Sequence, residues 1–128
     1  MLTRDTILAA KDLKTESIAV PEWGGEVLIR VFSGTQRDRL DAFIARSVDE
    51  KGKIKDPTGM RTLVVVLAAC NEDGSALFRP EDMDALKAKS SIALNRIFDA
   101  ASRLNGLAES GVESARESLA EGRSESSG

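Results

Sequence analysis

SIAVPEWGGEVLIRVF, residues 17–32, reads as a β-hairpin in a chain whose other patterned segments read as helices. Gly24-Gly25 supplies the positive φ angles of a tight two-residue turn between strands Ser17–Trp23 and Glu26–Phe32. That turn pairs Trp23 with Glu26, Val20 with Ile29 and Ile18 with Val31. Strand side chains alternate, so Ile18, Val20, Val27, Ile29 and Val31 share one face and are expected to pack on helices. Trp23, Leu28, Arg30 and Phe32 share the other. That second face is half apolar, and is either covered by the chain's own segments or left to a partner.

Helices flank the hairpin. Upstream, Thr3 can cap a short helix through Ala10, with Asp5 in its first turn. Downstream, Ser33 and Gln36 have capping-box spacing and open a helix with Leu40, Phe43, Ile44 and Val48 on one stripe, ending near Asp49. Arg37 and Asp41 form an i,i+4 pair on its solvent side. Lys51-Gly52-Lys53 and Asp56-Pro57-Thr58-Gly59 read as loop. LVVVLAAC, residues 63–70, has no period: three valines favour a strand, while the flanking Leu, Ala and Cys favour a helix.

Asn71 to Gly74 turns the chain, and Ala76 to Phe78 reads as a short extended piece. Pro80 suits a first helical position and Glu81 and Asp82 complement the dipole, although Arg79 is a poor cap. Met83 and Leu86 face inward before a stop near Lys89. Ser90 then caps a last helix with Leu94, Ile97, Phe98, Ala101 and Leu104 as its apolar stripe, Asp99 and Arg103 as an i,i+4 pair, and Asn105-Gly106 as its left-handed stop. From Ala108 onward Glu109, Glu113, Glu117, Glu121 and Glu125 recur every fourth residue among Ser and Gly, a composition expected to leave residues 108–128 a flexible tail. The fold class is therefore α+β: an N-terminal hairpin packed on a mainly helical domain over residues 1–107.

The 128 residues fit one domain, and a net charge of -3 leans away from a nucleic-acid surface. Lys51, Lys53, Lys55 and Arg61 are diluted by Asp49, Glu50 and Asp56 and lack interleaved aromatics. The lone Cys70 permits no internal disulfide and reads as a small buried hydrophobe. Nothing near the N-terminus has the layout of a signal peptide, and residues 63–70 are too short to span a bilayer, so the expected location is the cytoplasm, with no membrane partner.

Chemistry is sparse. With no histidine and no tyrosine, the commonest acid–base group and the usual zinc ligands are missing. Asn71-Glu72-Asp73-Gly74 starts like a calcium loop, but Ala69 takes the first ligand position and Pro80 that of the bidentate Glu. Lys51-Gly52-Lys53 lacks the glycine run of a phosphate loop. Glu72, Asp73, Glu81, Asp82 and Asp84 are accounted for by a turn and a helix start. No enzyme, metal or cofactor is expected.

DGSALFRPEDMDALKAKSSIALNRIFDAASRLNGL, residues 73–107, resembles the tail assembly chaperones of long-tailed bacteriophages and prophages. It has that family's Asp-Gly turn, Leu-Phe segment, acidic "ED" helix start, Ser-bearing linker and final helix closing on Arg-Leu-Asn-Gly-Leu. MLTRDTILAAKDL, VPEWGGEVLIR around Trp23, and SGTQRD resemble its N-terminal half. The resemblance implies a helix over residues 63–70. It also implies a protein that binds the helical tape-measure protein, keeps it soluble, helps tail-tube subunits assemble around it, and leaves before the virion is finished. In many members a frameshifted longer form adds a domain that recruits tube subunits. Trp23, Leu28, Arg30 and Phe32 are the candidate partner contacts, because their face mixes large apolar groups with a cation. A structural virion component such as a connector or tail-completion protein is the alternative with the same size and character.

Overall fold

The computed structural model describes residues 1–107; the Glu/Ser-rich segment 108–128 lies outside the described residues. The order is α1 (Arg4–Ala9), β1 (Thr15–Val20), β2 (Gly25–Arg30), α2 (Gly34–Ser47), α3 (Pro57–Ala68), β3 (Ala69–Cys70), α4 (Met83–Lys87) and α5 (Ser91–Leu104). The three strands form one antiparallel sheet in the order β1-β2-β3. One face of the sheet packs on α5, which lies against α3; α2 and α4 pack on α3 from other sides. The α+β class with an N-terminal hairpin is as expected.

The hairpin's register differs from the expected one. Val20 pairs with Gly25, Ile18 with Val27 and Glu16 with Ile29. The connection is a single 3-10 turn, Pro21–Trp23, closed by Gly24 at φ 76°. Pro21 explains the longer turn: it has no N–H for a ladder and its fixed φ suits the first position of a helical turn. The displacement is an even number of residues, so Val20, Val27 and Ile29 still reach the core. Phe32 does not follow its expected face, because β2 ends at Arg30 and the chain then bends into α2. Its ring is 8% exposed and belongs to the core.

Capping fixes most helix starts. Thr3 and Thr6, and Ser33 and Gln36, form reciprocal capping boxes at α1 and α2. Arg37 Nε donates to Asp41 Oδ1 at 3.1 Å as its spacing suggests. The segment read as the loop Asp56–Gly59 is instead the start of α3. Asp56 Oδ1 accepts from Gly59 N at 2.9 Å, and Pro57 occupies the first turn. A side chain at residue 59 would collide with the Asp56 carboxylate, so glycine is needed there.

α3 is the central helix. Met60, Thr62 and the run from Val64 to Ala68 are buried, on every side of the helix, which is why residues 63–70 show no period. Thr62 stays satisfied by donating to Thr58 O at 2.7 Å. The helix implied over 63–70 holds through Ala68; Ala69 and Cys70 are corrected to strand, paired with Ile29 and Leu28. The chain doubles back through Asn71–Ser75, and Leu77 N donates to Ala69 O at 3.1 Å.

α5 contributes Leu94, Ile97, Phe98 and Ala101 to the core, as its stripe predicts. Ser90 caps it, and Gly106 at φ 61° terminates it. Two ion pairs tie α5 to the hairpin: Arg96 donates to both carboxylate oxygens of Glu22, in the 3-10 turn, at 2.8 and 3.0 Å, and Arg103 reaches Glu16 of β1 at 3.3 Å.

Candidate functional site

Trp23, Leu28, Arg30 and Phe32 do not share a surface. Phe32 is in the core, and Trp23 sits half-buried in the 3-10 turn, packed against the core cluster. Leu28 stays on the outer face of the sheet, opposite Ser17 on one side and Cys70 on the other. Arg30 is half-buried beside it and donates through Nη1 to the carbonyl of Gly74, which ties the Asn71–Ser75 turn to β2. The outer face retains a shallow depression around Leu28, Cys70 and Leu77, with Glu26 and Glu72 on its rim.

Several of the charged groups singled out in the sequence are engaged in local structure. Asp73 Oδ1 accepts from both the N–H and the hydroxyl of Ser75, and these bonds hold its carboxyl below the ordinary aspartate value. Asp82 accepts from Arg79 N at 2.8 Å, which satisfies the N–H of the cap residue, although Arg79 offers no side-chain acceptor to the first turn. The Arg96 guanidinium lowers the Glu22 carboxyl, and backbone bonds led by that from Lys53 lower Asp49. Burial raises the Cys70 thiol above its ordinary value. Arg61 does not sit free beside the loop lysines; it donates to Asn95 Oδ1 at 2.9 Å and lines a small cleft with Lys87 and Lys89. Among the described residues no group of three or more His, Cys, Asp or Glu is placed to hold a metal ion. No helix there is long and apolar enough to cross a membrane.

Two open apolar surfaces were not evident from the sequence. α1 buries none of its residues, and Leu2, Ile7 and Leu8 are exposed by 75%, 54% and 69%. These large apolar side chains are open to a partner. The second surface is a groove of about 380 Å³ between α2, α3 and the start of α4. Phe43 of α2, Leu63 of α3 and Met83 of α4 are half-buried along it, and Arg39 and Arg46 stand on its rim. Its lining comes from three elements far apart in the chain, so no local motif encodes it.

A family sequence model described as phage tail assembly chaperone matches residues 3–120. The chain belongs to that family. Among solved structures, it is similar to the bacteriophage HK97 tail assembly chaperone, with 19% identity and a TM-score of 0.57 over 78% of this chain and 94% of that one. At this identity the likeness concerns the fold. No curated protein sequence matches. A tail assembly chaperone acts by binding other proteins, a role served by open apolar surface rather than by a catalytic constellation.

Proposed function

We propose that the chain binds the tape-measure protein of its phage, keeps it soluble in the host cytoplasm, and promotes assembly of the tail tube around it, leaving before the particle is complete. Family membership over residues 3–120 carries this reading. The geometry supports it: a long helical client exposes apolar stripes before the tube encloses it, and the groove and the uncovered face of α1 are the surfaces able to shield such stripes reversibly. Of the expected contacts on the hairpin, Phe32 is internal and Arg30 is engaged with Gly74, while Leu28 and Trp23 remain partly exposed. A longer form arising by frameshift after the described domain would carry the part that recruits tube subunits.

Co-expression tests the reading. With this chain present, the tape-measure protein of the same phage is expected to move from the insoluble to the soluble fraction and to co-purify with it. A tape-measure protein that is equally insoluble with and without the chain would refute the proposal.

A further inference from the structure

Arg39 and Arg46 are seven residues apart on α2, so they project from one face of the helix, about 10 Å apart at the helical rise of ~1.5 Å per residue. They are the charged side chains lining the groove. Their neighbour Arg37 is held by Asp41, but Arg39 and Arg46 have no ion-pair partner among the described residues. Between them the floor is apolar: Phe43, Leu63 and Met83 over the buried Val66 and Leu67.

From this we infer that the groove is a docking site for an acidic amphipathic helix, one whose apolar stripe is flanked by two carboxylates seven residues apart. A helix lying along α2 repeats at the same interval, so carboxylates at i and i+7 meet both guanidinium groups while the residues at i+3 and i+4 enter the floor. Arginine suits the rim, since its planar fork takes a carboxylate in two parallel bonds and its weak hydration lowers the cost of partial burial. A basic helix of equal apolarity would bring like charges together at both ends of the trough, so the site selects by charge as well as shape. The other openings fit less well. The depression beside Leu28 is rimmed by Glu26 and Glu72, and the cleft at Arg61 is only about 140 Å³, with Lys87 already paired to Asp56 at 3.6 Å. The proposal rests on the tape-measure reading only for the identity of the protein that carries the helix.

The test uses the full chain and two labelled helical peptides, identical except that the two residues flanking the apolar stripe, seven positions apart, are Glu in one and Lys in the other. At low salt, fluorescence anisotropy is expected to show the Glu peptide binding at least about tenfold more tightly, with the preference reversed in the Arg39→Glu/Arg46→Glu double variant. Both positions are exposed, so the variant should keep its circular dichroism spectrum. Equal binding of the two peptides, or an unchanged preference in the double variant, overturns the proposal. So does binding that appears only when Glu109, Glu113, Glu117, Glu121 and Glu125 are replaced by Gln, which would place the chain's own acidic segment in the groove. These outcomes leave the solubility result untouched, so failure of the groove and failure of the tape-measure reading are separable.

Discussion

Replacing Phe32 with alanine is expected to remove about 3–5 kcal/mol of folding stability, the usual cost of deleting a buried aromatic ring. Phe32 is 8% exposed and belongs to the same cluster as Ile29, Leu40, Ile97 and Leu107. Small domains are stable by only about 5–15 kcal/mol, so the loss should lower the urea midpoint sharply or leave the chain unfolded. Leu28→Ala, on the outer face, should cost less than half as much. A Phe32 variant within about 1 kcal/mol of the parent would return the ring to the surface and restore it as a partner contact.

Asn105→Ala is expected to cost about 2–3 kcal/mol, more than the loss of a helix stop alone. The Asn105 side chain accepts from Phe32 N at 2.6 Å and donates to Arg30 O at 3.3 Å and Ala101 O at 3.0 Å, so one amide joins the end of α5 to the end of β2. Alanine takes these partners from Phe32 N and Arg30 O, while Ala101 O keeps its bond from the backbone N–H of residue 105, and a partly buried orphan costs about 1–3 kcal/mol where water cannot reach it. Asn105→Asp keeps the acceptor for Phe32 N and loses both donated bonds, so its urea midpoint should fall between those of the parent and the alanine variant. An alanine variant as stable as the parent would show that water replaces the amide at no cost.

Asn105 also marks the limit of what the sequence could convey. As the residue before Gly106 it is legible as a helix end, but a bond to a residue 73 positions away has no local signature. The caps at Thr3 and Ser90, the Ser33–Gln36 capping box, the α5 stripe and the Arg37–Asp41 pair were legible because each is decided within one or two turns of helix. The hairpin was legible in kind and not in register. Gly24-Gly25 suggested the shortest turn, whereas Pro21, which cannot donate to a ladder, gave the stronger signal for the 3-10 turn actually formed. Asp56 followed by Pro57 was another local signal, a cap and first helical residue read as a loop. The two-residue strand β3 was not legible, being too short for any period and continuous with an apolar helix.

The candidate contacts fared differently for a related reason. Alternation assigns faces only while a strand lasts; beyond Arg30 it says nothing, and Phe32 turned inward. Arg30 is a cation on that face, but its bond to the Gly74 carbonyl depends on a turn that the hairpin sequence does not contain. Within α2, the spacing of Arg39 and Arg46 was visible all along. Its significance depends on Leu63 and Met83 arriving from α3 and α4 to complete the floor.

Hydrogen–deuterium exchange of the purified chain, alone and in complex with the tape-measure protein, tests the account most directly. New protection is expected in α2 from Arg39 to Arg46, around Leu63 and Met83, and in α1, with the outer strand β1 unchanged. Protection confined to β1 and β2, with α2 exchanging as in the free chain, would contradict it.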